Sequence, residues 1–334
     1  MHKAIVLYNP LSGPRQPRRL AEVQAVREVL VQGGIEVEIA ATEPNGEAGT
    51  QARHAIQVGC DTVLAAGGDG TIHDILQGMV GSDGTLGIVP MGTANALAHD
   101  LGLPLSPVKA ARALLQSELR RIAVGKVEYQ DFQGNAASRY FTVTTGVGAD
   151  AHLFYDLNPG IKSILGVSAY YAKAFRLWLT RKMECFTVRT GDAEPIQVSQ
   201  LLAVRITNFG GILRELAPGA GLHRNDLRLV LFHTTRRLDY LRYIVRGLLG
   251  MSWSGDSIEL AHAASVACLY TNPPAGKERR IFVEADGELL GTLPVKISIV
   301  PDALTLLTPG PLMAYSRRRA IPSRAARPSF SPGQ

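Results

Sequence analysis

Along the first third of the chain, short apolar runs alternate with stretches whose apolar positions recur at helical spacing. Lys3 to Leu7, Ile35 to Ala40, Thr62 to Ala66 and Leu86 to Val89 read as strands, and Arg18 to Val31, Arg53 to Val58, Ile72 to Met79 and Ala94 to Leu101 as helices. This alternation predicts an α/β unit with a parallel sheet covered by helices. In open sheets of that kind ligands sit beyond the carboxyl ends of the strands, so the loops after Leu7, Ala66 and Val89 are expected to form one site.

From about Ile122 the texture becomes β-rich. Val124 to Tyr129, Tyr140 to Thr144, Leu201 to Thr207, Leu227 to Phe232, Ser265 to Tyr270, Arg280 to Val283 and Val295 to Val300 read as extended, interrupted by helical patterns at Ile161 to Lys182 and Leu238 to Leu249. We therefore expect residues 1–122 as the α/β domain and 123–300 as a mainly antiparallel second domain. Residues 317–334, rich in Arg, Pro and Ser, read as a disordered basic tail.

With 334 residues, 46% of them apolar, the chain can fill two domains of ordinary size. Its formal charge of +6 suits an anionic partner, but much of the excess lies near the ends and selects no partner. Nothing resembles a specific nucleic-acid reader. Cys60, Cys185 and Cys268 are far apart and odd in number, which reads as free thiols in a reducing cytoplasm. Met1 to Leu7 forms neither a signal peptide nor an anchor, and no stretch approaches the roughly 20 apolar residues that span a bilayer. The expectation is a cytoplasmic protein whose contact with an anionic membrane is peripheral. The histidines show no ligand spacing and read as surface or packing residues, with His73 the one near a loop.

The candidate chemistry lies in the loops. The strand ending at Ala66 runs into Gly67-Gly68-Asp69-Gly70-Thr71 and then a helical pattern. Such glycines let the backbone approach a ligand, and the helix that follows aims free N–H groups at an anion. A lone glycine-rich turn is also compatible with mere tight turning. Asp69 changes that balance, because a carboxylate beside phosphates is repelled unless a cation or an abstractable proton is present. A second loop, Pro90-Met91-Gly92-Thr93-Ala94-Asn95, and a third, Asn9-Pro10-Leu11-Ser12-Gly13, follow strands in the same way.

Asn9-Pro10 with Gly13, GGDGT at 67–71 and PMGTANALAHDLGLP at 90–104 resemble the ordered signatures of the diacylglycerol kinase catalytic domain, which is related to sphingosine kinases and the NAD kinase fold. GGILRELAPGA at 210–220 and the segment 283–309 resemble that family's second domain. The resemblance implies ATP and Mg²⁺ in a cleft between the α/β domain and a β-sandwich, and γ-phosphoryl transfer to a lipid hydroxyl. It also implies that a last strand at about 301–316 rejoins the first domain. Asn9, Ser12, Gly13, Gly67, Gly68, Gly70, Thr71, Gly92, Thr93 and Asn95 are the expected nucleotide-binding residues. Asp69, Asp74 and Glu288 are the expected metal ligands. A homodimer is a further expectation.

Glu284, Asp286 and Glu288 alternate along an extended segment, which would turn all three to one side of a strand; Asp286-Gly287 is equally a turn signal. With the resemblance added, Asp286 is assigned as base and Glu288 as a metal or water ligand, while the choice between Asp286 and Asp69 as base stays open. Two departures stand out. Asp74 occupies a position where the family usually has Glu, and Arg224-Asn225 falls where many bacterial members hold a structural Mg²⁺ with Asp-Gly. An Arg cannot ligate a cation. Lys162, Lys173 and Arg176 on the 161–182 pattern suit an anionic surface, although a solvated face explains them too. Arg236, Arg237, Arg242 and Arg246 read as a solvated surface. The expected activity is an ATP-dependent lipid kinase, the alternatives being a kinase for a soluble polyol, cofactor or sphingoid base, or a non-catalytic nucleotide-binding regulator.

Overall fold

The computed structural model describes residues 1–11, 18–43, 46–148, 183–191, 193–210, 216–249, 251, 255–271 and 281–310. Ser12, Gly13, the 161–182 pattern and the 317–334 tail lie outside them. The chain begins β1 (Lys3–Tyr8), α1 (Arg19–Gln32), β2 (Glu36–Ala41), α2 (Ala48–Gln57), β3 (Thr62–Gly67), α3 (Asp69–Met79), β4 (Thr85–Pro90), α4 (Ala96–Asp100) and α5 (Pro107–Leu114). Strands β2, β1, β3 and β4 lie side by side and parallel. β3 and β4 are buried along their whole length, which explains the unbroken apolar runs that a sheet covered on both faces requires.

The second part comprises β5 (Glu118–Gln130), β6 (Ala136–Phe141), β7 (Thr144–Gly148), β8 (Phe186–Arg189), β9 (Ile196–Val198), β10 (Gln200–Val204), β11 (Leu227–Phe232), α6 (Arg237–Leu248), β12 (Ile258–Ala263), β13 (Ser265–Tyr270), β14 (Phe282–Ala285) and β15 (Glu288–Thr308). Its strands pair antiparallel, as the β-rich texture implied. The long β15 joins the two parts. Its first half pairs with β14 and β13, and its end lies parallel to β4, with Thr305 beside Thr85. Leu304 and Leu306 accordingly fill the core under the parallel sheet, whereas Leu293, Val295 and Ile297 fill that of the sandwich.

Side chains of α3 and α4 tie the two parts together. Gln77 of α3 reads the backbone of Tyr140 at both ends, donating to its carbonyl at 3.0 Å and accepting its N–H at 2.9 Å. Asp100 at the end of α4 accepts the N–H groups of Thr207 and Asn208 at 2.8 and 2.9 Å. Farther out, the fully buried Arg205 donates to the carbonyls of Ala123, Leu222, Arg224 and Asp226. Burial pushes its pKa down to about 10. The Arg224 guanidinium makes a two-pronged ion pair with Asp226, its Nε 2.6 Å from Oδ1, so that position carries an internal ion pair.

Candidate active site

The loops after β1, β3 and β4 emerge at the same edge of the parallel sheet. Gly68 is the extended residue just before α3, and Asp69 opens the helix, whose first N–H groups have no carbonyl within the helix to meet. Gly68 lies against Gly92 of the neighbouring loop so closely that a Cβ on Gly92 would collide with the Gly68 Cα. Asn95 then turns the chain into α4 from a left-handed conformation, φ 50°. That costly geometry is held by a reciprocal pair: Gly92 N–H donates to Asn95 Oδ1 at 2.8 Å, and Asn95 Nδ2 donates back to the Gly92 carbonyl at 3.0 Å. Arg19 Nη2 braces the same loop from behind through the Met91 carbonyl at 3.0 Å. Thr93 stands exposed at the rim, while Thr71 is buried against Gly67. Asn9 N–H donates to the Ala66 carbonyl at 3.2 Å, and its side-chain oxygen accepts Leu11 N–H, which fixes the start of the third loop.

The carboxylates depart from the alternating-strand expectation. Asp286 and Gly287 have φ of 49° and 86° and form the two-residue turn between β14 and β15, across which Ala285 pairs with Glu288. Glu284, Asp286 and Glu288 therefore do not line one face of one strand; the Asp-Gly turn signal prevails over the period of two. Glu284 is buried and accepts Gly287 N–H at 2.9 Å. Asp286 folds inward to the break between β6 and β7. There it accepts Thr142 N–H at 3.0 Å on Oδ2, and Val143 and Thr144 N–H at 2.9 and 3.0 Å on Oδ1. His73 Nδ1 lies 3.5 Å from Oδ2. Three backbone N–H groups thus engage the two oxygens, and His73 lies beside them, donating only in the tautomer that carries its proton on Nδ1.

Asp69 and Glu288 are placed differently. Asp69 Oδ1 accepts Ala96 N–H at 2.8 Å, which ties α3 to the start of α4. Burial raises the Asp69 pKa, and the Asp286 charge adds to that against the backbone N–H groups of Ala96, Asn95 and Leu97. The Glu288 side chain makes no hydrogen bond among the described residues and extends over Gly70, its Oε1 2.7 Å from where a Cβ would be. Although the residue as a whole is exposed, loss of water around its carboxyl raises the pKa, with Asp74 and Asp286 adding to the rise and His73 opposing it. Asp74 is raised chiefly by burial as well, against the pull of His73 and Arg139. Among the described residues, no three His, Cys, Asp or Glu side chains come together closely enough to enclose an ion by themselves.

His73 is the participant that the sequence reading passed over as packing. It is 2% exposed, its Nε2 is buried without a hydrogen-bond partner among the described residues, and it stands among Asp74, Asp286 and Glu288. Its signal was the spacing: His73 follows Asp69 by four residues and so shares its face of α3. The backbone donors at Thr142 to Thr144 carried no such signal, since any residue supplies an N–H.

Residues 3–127 match the diacylglycerol kinase catalytic domain, and residues 142–308 match the YegS C-terminal NAD kinase beta sandwich-like domain. The diacylglycerol kinase of Bacillus subtilis (strain 168) is 30% identical over 298 residues, covering 88% of this chain and 92% of that protein. That of Staphylococcus saprophyticus is 26% identical over 311 residues, covering 92% and 95%. A crystal structure of a diacylglycerol kinase from Bacillus anthracis str. Sterne superimposes with a TM-score of 0.66 at 19% identity, covering 92% of this chain and 97% of that one. Fold and site together define a phosphotransferase that acts on an alcohol. The chain belongs to the diacylglycerol kinase family.

Proposed function

We propose that this protein transfers the γ-phosphoryl group of ATP, with Mg²⁺, to the hydroxyl of a membrane lipid such as diacylglycerol. The observation that carries this reading is the meeting of Gly68 and Gly92 at the start of α3, where Asp69 opens the helix and Glu288 extends over Gly70. The Gly68–Gly92 floor gives phosphate oxygens access to backbone N–H groups at the start of α3. The carboxylates fit a hard cation, which commonly takes one or two protein carboxylates and completes its shell with phosphates and water. Bound Mg²⁺ would neutralise charge on the transferring group. Glu288 and Asp74 are the residues we place toward the metal. Asp69, which opens α3 beside the glycine loops and has a raised pKa, is the group we place to accept the hydroxyl proton. Asp286 is a positioning residue that holds the 142–144 backbone and His73 in place.

The lipid names of the relatives favour a lipid acceptor, and a substrate panel tests it. Purified protein, ATP and Mg²⁺ are offered diacylglycerol, phosphatidylglycerol, sphingosine, glycerol or NAD, and ADP release is followed with and without EDTA. Diacylglycerol is expected to give the highest kcat/KM, and EDTA to abolish it. Turnover of glycerol or NAD without turnover of any lipid would overturn the lipid reading. Gly92→Ala is expected to weaken ATP binding by about tenfold, because its methyl group pushes the two glycine loops apart at the phosphate position. Titration calorimetry measures this, and unchanged affinity in a folded variant removes the loop from the nucleotide site.

The raised Asp69 carboxyl also sets an acid limit. Asp69 must be ionised to accept the proton, so activity falls as pH drops through its raised pKa, above the ordinary range of about 4. A kcat profile against pH shows the limb, and one placed at the ordinary carboxylate position contradicts this assignment.

A further inference from the structure

Among the described residues, the densest group of exposed large apolar side chains lies on and just after α6. Leu238, Leu241, Ile244, Val245, Leu249 and Met251 are between 42% and 67% exposed. At about 100° per residue, Leu238, Leu241, Ile244 and Val245 fall within an arc of about 120°. Tyr240 and Tyr243 point elsewhere. Tyr240 stacks on Phe232 of β11 with ring centres 4.4 Å apart, and Tyr243 meets the same ring edge-on at 5.2 Å. Two tyrosines thus fasten the helix to the sheet, and the apolar arc beside them is turned outward. Contiguous apolar surface of this kind marks a contact with something else.

The charges identify that contact. Arg236, Arg237, Arg242 and Arg246 lie along this element, with Asp239 as its acidic residue. Asp239 is held by Thr234 and by Arg242. Two copies of such a helix face to face would bring arginines against arginines, whereas an anionic surface would meet them with the opposite sign. We propose that α6 is an interfacial anchor that lies in the headgroup layer of an anionic bilayer, with Leu238, Leu241 and Val245 among the acyl chains and the arginines level with the phosphates. The anchor is joined to the catalytic half of the molecule. Tyr243 donates to the Leu216 carbonyl, and Gly210, six residues earlier, rests on the His99 ring of α4. This deepens the lipid-acceptor reading, and its test is read from binding alone so that either can fail without the other.

The full chain is sedimented with vesicles of phosphatidylcholine and of phosphatidylcholine mixed with phosphatidylglycerol. Binding to the anionic vesicles alone, weakening as salt rises, is expected. Leu241→Asp with Val245→Asp should lower that partition by about tenfold or more, and Arg242→Gln by a smaller factor. Both variants should keep the parent's unfolding midpoint and its turnover of a short-chain diacylglycerol dispersed in water. A Leu241→Trp variant, close in polarity, gives a second reading: its fluorescence should be quenched by brominated acyl chains beyond that of the parent. Equal partition of the double variant, equal binding to neutral vesicles or absence of quenching would overturn the proposal. So would a dimer in solution that the double variant converts to monomer, since a second copy would then cover this face.

Discussion

Asp69→Asn is expected to lower kcat by about 10² to 10⁴ while leaving the protein at least as stable as the parent. The two halves of that result have different origins. Asn keeps an oxygen for the Ala96 N–H, so the link from α3 to α4 survives, but an amide accepts no proton. The stability half follows from linkage. Burial and the Asp286 charge raise the Asp69 pKa in the folded protein. Between the ordinary and the raised value the folded state binds more protons than the unfolded one, so this group's contribution to stability declines as pH rises through that window. At neutral pH the ionised Asp69 is therefore a net cost, and Asn removes it. A thermal melt at neutral pH should show an equal or higher midpoint, and turnover close to that of the parent would take the proton-accepting role away from Asp69.

Such a site is only partly visible in one dimension. β3 and β4 were legible because strands covered on both faces must be apolar throughout, and β11 and β13 because their ends coincide with the pattern, at Leu227–Phe232 and Ser265–Tyr270. The glycine loops were legible because each follows such a strand directly. α5 was not foreseen. Its buried positions, Pro107, Ala110, Ala111 and Leu114, have helical spacing, but alanines give a weak hydrophobic signal; the start marker was Pro107 just after Ser106. For Glu284, Asp286 and Glu288 the sequence carries two conflicting signals, and the turn prevails. A period of two describes a strand only while it continues, and Asp286-Gly287 ends one. The contact of His73 with Asp286 spans 213 residues, and no local periodicity carries information over that distance.

Asp286→Asn should behave in the opposite way to Asp69→Asn: turnover falls and stability falls with it. Asp286 serves Thr142, Val143 and Thr144 with two oxygens, and an Asn side chain has one oxygen and an NH₂ that would face a backbone N–H. At least one buried donor is left without a partner, which costs about 1–3 kcal/mol. The break between β6 and β7 then relaxes, and with it the Tyr140 backbone held by Gln77 and the ring of His73 among the carboxylates. Loss of kcat accompanied by a lower unfolding midpoint, with ATP affinity retained because the Gly68 and Gly92 loops are untouched, would mark Asp286 as a positioning residue. His73→Ala should reproduce part of the kcat loss and leave KM for ATP nearly unchanged, because the ring acts on Asp286. If instead Asp286→Asn abolished turnover with no change in the melt, Asp286 would be accepting the substrate's proton after all, beside the three backbone N–H groups that it holds.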